Sequence, residues 1–296
     1  GNVFQQLYNM VDTVIVGRYV GSSALAAVGS TGTIMFLITG FAQGLTAGFS
    51  VLTSQKYGAG DIHGVRRSVG NGALLSLAAA VLLTVSSLLF MKPLLAAMNT
   101  PADIFDDAYS YISVICMGLG ANILYNLLSS YLRAVGNSKA PLFFLILSAG
   151  INVILDLVFI IWFHMGVAGA AWATNAATLI SGLLCLLYIW KRVPALCPVR
   201  DSFLPRASYV RCQLSMGIPM ALQYSITAIG AMMVQSSLNL LGSTSVAAYT
   251  AANKIEQVGT QAYVALGTTM ATYCAQNMGA GELGRIRRGF RGATII

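Results

Sequence analysis

Gly58-Ala59-Gly60 and Gly279-Ala280-Gly281 stand 221 positions apart, and the same shift carries Gly21-Ser22 onto Gly242-Ser243, Ala26-Ala27 onto Ala247-Ala248, Gln55 onto Gln276 and Arg66-Arg67 onto Arg287-Arg288. Residues 21 to 67 therefore repeat, without a gap, as residues 242 to 288. Chance does not keep register over that length. Duplicated hydrophobic bundles that hold a transported species between their halves are a common build for secondary transporters, so the repeat bears on function as well as on ancestry.

The composition says which solvent the repeat lives in. With 56% hydrophobic and 9% charged residues, 296 residues have too little polar surface to coat a soluble globule. Apolar windows of about 20 residues, the length that crosses a bilayer as a helix, fall near 3 to 20, 31 to 55, 69 to 90, 108 to 132, 141 to 163, 167 to 190, 214 to 241 and 246 to 275. A membrane β-barrel would alternate polar and apolar residues, and runs such as Leu142 to Leu147 do not.

The net charge of +8 is placed in alternate loops, which argues for topology and against nucleic acid as a partner. Fourteen of the seventeen Lys and Arg lie on one side: Lys56, Arg66, Arg67, Arg133, Lys139, Lys191, Arg192, Arg200, Arg206, Arg211, Arg285, Arg287, Arg288 and Arg291. That side is expected to be cytoplasmic, with the amino terminus on it. The opposite loops hold Lys92, with Arg18 at a span end, and the acidic Asp103, Asp106 and Asp107. Six spans separate the two copies, an even number, so both cross in the same direction as a parallel repeat.

The fold expected is an all-α polytopic membrane protein of parallel duplicated six-helix lobes with the second truncated. Residues 1–192 form the amino-terminal lobe, 193–213 a cytoplasmic linker and 214–296 the start of the second lobe. By the repeat, about four helices are expected beyond the second copy and a few turns before the first span, and no signal peptide is recognisable. Cys116, Cys185, Cys197, Cys212 and Cys274 show no metal spacing and read as small apolar packing residues. His63 and His164 read as ordinary loop histidines.

Of nine carboxylates, Asp12, Asp156 and Glu256 fall inside spans, where one ionised aspartate costs about 2.5 to 3.5 kcal/mol at mid-helix. Asp12 lies eight residues before the outer end of the first span and Asp156 seven before that of the fifth, which puts both roughly 10 to 12 Å beneath the outer boundary. Thr174, seven residues into the sixth span, falls in the same plane. Tyr8 and Asn9 precede Asp12 by four and three residues, and Asn152 precedes Asp156 by four, so each set shares a helical face. Carboxylates ringed by hydroxyl and amide oxygens suit a hard cation such as sodium. Two carboxyl groups close together in low dielectric can equally share a proton. The plain structural reading is a buried polar glue between helices.

Lys254 and Glu256, two apart on the eighth span, point about 200° apart around a helix and do not pair with each other. Either could face a cavity between the lobes, or snorkel, or pair elsewhere. Met216, Met220, Met232 and Met233 line the seventh span as permissive cavity wall or as core. Met220 and Gln223 join Lys254 and Glu256 as candidate substrate contacts. Pro219 is expected to kink that helix.

Several motifs coincide: Gln6-Leu7-Tyr8-Asn9-Met10-Val11-Asp12, the Gly58-Ala59-Gly60 turn, Leu132-Arg133-Ala134-Val135-Gly136-Asn137, Asn152 to Asp156, Gly166-Val167-Ala168-Gly169-Ala170-Ala171, and Gln276 to Gly281. Together they resemble the multidrug and toxic compound extrusion family over the whole chain. The resemblance implies a twelve-helix transporter of two lobes in a bacterial inner (plasma) membrane. It would export organic cations or other amphipathic compounds in exchange for protons or sodium, with no cofactor beyond that coupling ion, and act as a monomer. It also implies a cation site at the positions of Asp12, Tyr8, Asn152, Asp156 and Thr174. A second branch of the family uses a carboxylate on the seventh span, and residues 214 to 241 contain none.

Other classes fit less of the pattern. An intramembrane aspartyl protease would use two membrane aspartates, but Asp156 sits in Ile154-Leu155-Asp156-Leu157 without the GxGD signature such proteases share. A lipid-linked oligosaccharide flippase of the same superfamily would favour a strongly cationic cavity over paired carboxylates. A passive receptor or channel would leave the paired carboxylates without a task.

Overall fold

A computed structural model describes residues 11–12, 14–98, 100–239 and 243–295, with the side chains of residues 22, 97, 232, 235–239 and 243–258 left aside. The described residues are helical or in turns, without strands. Residues 11–12 and 14–19 belong to α1. The long helices that follow are α2 (Ser22–Gly58), α3 (Ile62–Ala97), α4 (Phe105–Met117), α5 (Leu119–Ala134) and α6 (Lys139–Leu157). A single π turn (Val158–Trp162) continues α6 and leads to α7 (Gly166–Arg192), α8 (Ala207–Asn239), α9 (Ser243–Gly279) and α10 (Leu283–Ile295).

Among the described residues, four helices are long and apolar enough to span a membrane, Ser23–Gly58, Ile62–Ala96, Lys139–Trp162 and Gly166–Arg192, and the bent pair α4 and α5 makes a fifth. Their lipid-side character is visible in large apolar residues left exposed, such as Leu77, Leu82, Phe90, Trp162 and Trp190. Helices α2 and α3, at 37 and 36 residues, exceed the expected windows at both ends. Helix α8 begins at Ala207, so the last seven residues of the expected linker are its first two turns. It runs unbroken through Pro219, and Pro93 likewise lies inside α3.

The repeat is written into the backbone. Helices α2 and α9 are both 37 residues long, and both their ends are related by the 221 shift. The turns after them match bond for bond. Ala59 N–H donates to the Gln55 carbonyl as Ala280 does to Gln276, both at 3.0 Å, and Asp61 donates to Lys56 as Glu282 does to Asn277. Gly60 and Gly281 hold left-handed φ values of 70° and 73°, which only glycine adopts without penalty. Helix α3 then starts at Ile62 and α10 at Leu283, again 221 apart, so α10 is the second copy of the start of α3.

The fourth span is bent by 46° at Gly118. A bend frees backbone carbonyls inside the membrane, where each needs a donor. Asn175 on α7 donates to the Val114 carbonyl at 2.6 Å, and Thr84 on α3 to the Cys116 carbonyl at 3.3 Å. Glycine is required at the bend because a Cβ there would collide with the Asn175 side chain.

Two apolar clusters fill the first lobe. One packs Ile15, Val16, Ile34, Leu95, Ile112, Leu119 and Ile160 towards the expected outer side, and the other packs Phe49, Val65, Leu127, Tyr131, Leu132 and Ile189 towards the basic side. The linker is tied beneath the lobe by Asn71 of α3. Its amide donates to the Ser202 and Leu204 carbonyls and its oxygen accepts from Arg206 N–H.

The lobes meet through small residues. Gly44 and Gly48 of α2 press against Met220, Ala221 and Gly217 of α8, where any Cβ on either glycine would strike backbone. Such stripes let helix backbones approach closely in lipid. At the basic end, α2 crosses α9: Gly58 abuts the Gln276 carbonyl and Gly279 abuts the Gln55 carbonyl. These contacts are exchanged by the repeat shift, so the crossing lies on the pseudo-twofold axis.

Candidate functional site

The first lobe brings Asp12, Asp156, Asn152 and Thr174 together. Asp12 arrives on α1, Asn152 and Asp156 on the last two turns of α6, and Thr174 on the third turn of α7. Asp12, Asn152 and Asp156 are all buried, Asp156 with no exposed surface at all. The two carboxyl groups are neighbours that interact electrostatically. Asn152 donates from Nδ2 to Thr174 Oγ1 at 3.4 Å, a long bond that still joins α6 to α7.

The acceptors of this cluster outnumber its donors. Asp12 Oδ1, both oxygens of Asp156 and Asn152 Oδ1 are buried without a hydrogen-bond donor among the described residues. The only ion pairs among those residues are Lys56 with Asp61 and Arg285 with Glu282, so neither aspartate has a basic partner among them. Two bare carboxylates in contact repel by about 4 kcal/mol at 4 Å and an effective dielectric of 20. A buried acceptor left unmatched also costs about 1 to 3 kcal/mol. One shared proton, or one hard cation bound by these oxygens, removes both costs. The donor set is all oxygen, as sodium prefers, and no cluster of three His, Cys, Asp or Glu suited to a transition metal occurs among the described residues.

A cavity of about 10 Å³ adjoins the cluster on the seam of α6 and α7, lined by Ser148, Asn152, Thr174 and Thr178. That is room for about one water. Ser148 and Thr178 were missed from the sequence. The signal was there, since Ser148, Asn152 and Asp156 recur every four residues on α6 and Thr178 follows Thr174 by four. The π turn beginning two residues after Asp156 was also missed, and such turns concentrate at functional sites. It carries Ile160 back into the core while α6 keeps Asp156 facing α1.

Tyr8 and Asn9 lie outside the described residues, as do the side chains of Lys254 and Glu256 on α9. Met220 is half-buried at the α8 contact with α2, whereas Gln223, three residues on, is exposed. The five cysteines are free. His63 stands in the first turn of α3 rather than in a loop, and His164 follows the π turn with φ of 50°.

Comparison with known proteins accords with this architecture. The MatE family model matches residues 1–158 and 217–296. The chain is 29% identical over 297 residues to the probable multidrug resistance protein YoeA of Bacillus subtilis, covering 98% of this chain and 64% of that protein. Against a solved outward-facing conformation of a multidrug resistance MATE family transporter of the MOP superfamily, the TM-score is 0.87 at 25% identity, covering 99% of this chain and 65% of that one. Against a solved inward-facing conformation the TM-score is 0.77 at 25% identity, over 98% of this chain and 66% of that one. The higher score for the outward-facing form agrees with lobes that touch at Gly58 and Gly279 on the basic side. The chain thus spans about 64% of the length of that curated relative, and it belongs to the MatE family, the multidrug and toxic compound extrusion proteins.

Proposed function

We propose that the protein is a secondary active antiporter in the bacterial plasma membrane. It exports organic cations or other amphipathic compounds in exchange for protons or sodium, and Asp12 and Asp156 form its coupling site. The observation that carries this reading is the pair of neighbouring, buried carboxyl groups on separate helices, with more acceptors than donors around them among the described residues. No fixed cation among the described residues matches the pair, which leaves a place for a proton or a bound cation.

Asn152 and Thr174, joined to each other, offer further oxygens beside the second carboxyl, and the sequence positions of Tyr8 and Asn9 make them candidates to do so for the first. Loading the site with a proton or sodium ion draws α1 and α6 together, and emptying it drives them apart by charge repulsion. That difference between the two states is what an exchanger needs, because an ion with equal affinity for both shifts nothing. Substrate would lie between the lobes, where Met220, Gln223, Lys254 and Glu256 are candidate contacts, and the protein would work as a monomer with its basic loops and amino terminus in the cytoplasm.

The test is counterflow of fluorescent organic cations by the full-length protein in vesicles, under separate proton and sodium gradients. Efflux driven by one gradient and abolished by Asp12→Asn supports the reading. Gradient-independent flux of the same compounds would replace the antiporter by a channel or facilitator.

A further inference from the structure

Far from the carboxylate pair, at the basic end of the first lobe, α6 and α7 diverge to leave an open groove of about 560 Å³ lined by Asn137, Lys139, Phe143, Phe144 and Tyr188. Its floor is aromatic. Phe144 meets Phe143 and Tyr188 edge to face, with centroids 5.9 and 5.8 Å apart. Phe143 is 64% exposed. Because α6 enters the membrane at Lys139, the groove spans the boundary between headgroups and acyl chains.

The polar rim is prepared for an anion. Asn137 Nδ2 donates to the Tyr188 hydroxyl at 3.0 Å, while Asn137 Oδ1 accepts from the Ala140 N–H at 3.1 Å. The Tyr188 oxygen is thereby an acceptor, which leaves its own proton free to be given outward. Lys139 is exposed and makes no ion pair among the described residues, and Lys191 and Arg192, one turn beyond Tyr188 on α7, are likewise exposed and without an ion pair among them. One unpaired cation, Lys139, and one hydroxyl donor, Tyr188, therefore stand in the lining of an apolar trough that contains no carboxylate, and Lys191 and Arg192 follow Tyr188 on α7.

We propose that this groove is a binding site for an anionic phospholipid of the adjoining leaflet. Its phosphate is held by Lys139 and the Tyr188 hydroxyl, and its glycerol and upper acyl chain lie on Phe143 and Phe144. A basic pocket between membrane helices at the headgroup level suits that chemistry. A zwitterionic lipid presents the same phosphate with a cancelling ammonium, so the unpaired Lys139, with Lys191 and Arg192 further along α7, selects a net negative headgroup. The site is independent of the coupling reading, since no residue is shared.

Native mass spectrometry of the full-length protein, titrated with phosphatidylglycerol or phosphatidylcholine, tests the site. Wild type should retain phosphatidylglycerol in preference. Lys139→Gln should weaken that retention about fivefold, the factor for one cation near an anionic surface. Tyr188→Phe, which keeps the ring packing, should weaken it about tenfold, the factor for a hydrogen bond to a charged group. Arg285→Gln with Arg287→Gln and Arg288→Gln should leave it unchanged. Equal retention of both lipids, wild-type retention by Tyr188→Phe, or an equal loss in the triple control would overturn the proposal. Competition by inorganic phosphate as strong as by phosphatidylglycerol would overturn the lipid assignment and leave a plain phosphate site.

Discussion

Replacing Asp12 or Asp156 by Asn removes one ionisable group from a contact pair while keeping its shape. Each substitution should cut gradient-driven efflux at least tenfold with membrane insertion intact. The double variant should be little worse than either single one, because partners acting as a unit are disabled by the first loss. Vesicle efflux assays on the four proteins of that cycle check it, and additive losses would separate the two residues. Asp61 is a second informative residue, outside the spans. It caps α3 by accepting the Gly64 N–H at 2.8 Å and lies 3.2 Å from Lys56. The Gly64 bond first, and Lys56 after it, hold its carboxyl below the usual value. A lowered carboxyl stabilises the folded state fully above its unfolded pKa and loses that contribution as pH falls through the folded one. Asp61→Ala should therefore cost about 1 kcal/mol at neutral pH, the usual loss for a helix cap. The difference from wild type should shrink below about pH 4, the ordinary aspartate value. Thermal unfolding of the full-length protein in detergent at both pH values measures this.

At the scale of an element, the bend between α4 and α5 couples a glycine to an asparagine on another helix. Asn175→Ala should destabilise by about 1 kcal/mol, the net worth of one hydrogen bond, because the Val114 carbonyl then keeps only the Gly118 N–H at 3.2 Å. Gly118→Ala should cost about as much by overpacking against Asn175. In the Asn175→Ala background the added methyl meets space, so the two costs should fall short of additivity by at least about 0.5 kcal/mol. Melting temperatures of the two single variants and the double variant test this coupling. A strictly additive result would mean that Asn175 does not fill the inside of the bend. The same logic explains why an unbroken window at 108 to 132 concealed the break: the composition is apolar throughout, and the amide that stabilises the bend comes from more than fifty residues away.

For the molecule as a whole, the crossing of α2 and α9 on the pseudo-twofold axis makes a symmetric prediction. Gly58→Leu and Gly279→Leu each push a side chain into the other copy's backbone, at an overpacking cost of about 1 to 3 kcal/mol, or roughly a 5- to 150-fold shift away from the closed arrangement. The two variants should raise labelling of an interlobe cysteine from the basic side to a similar extent. An effect confined to one would break the equivalence. Cysteines at Ser22, Asp103 and Ser243 should label from outside and those at Asp61, Ser138 and Asp201 from inside, and any reversal refutes the orientation read from the charges. The sequence alone determined the helical class, the parallel duplication and the helical faces carrying Asp12 and Asp156, because hydrophobic period, charge sidedness and a 221-residue register are properties of the chain read in order. It also pointed to a shared depth for the two aspartates, since rise per residue is constant along a helix. Tertiary structure alone decided that Asp12 meets Asp156, that the Gln55 and Gln276 backbones lock against opposite glycines, and that Asn175 crosses to the bend at Gly118. Each of these depends on how helices rotate and approach one another, and that is set by packing between residues far apart in sequence, which no local pattern encodes.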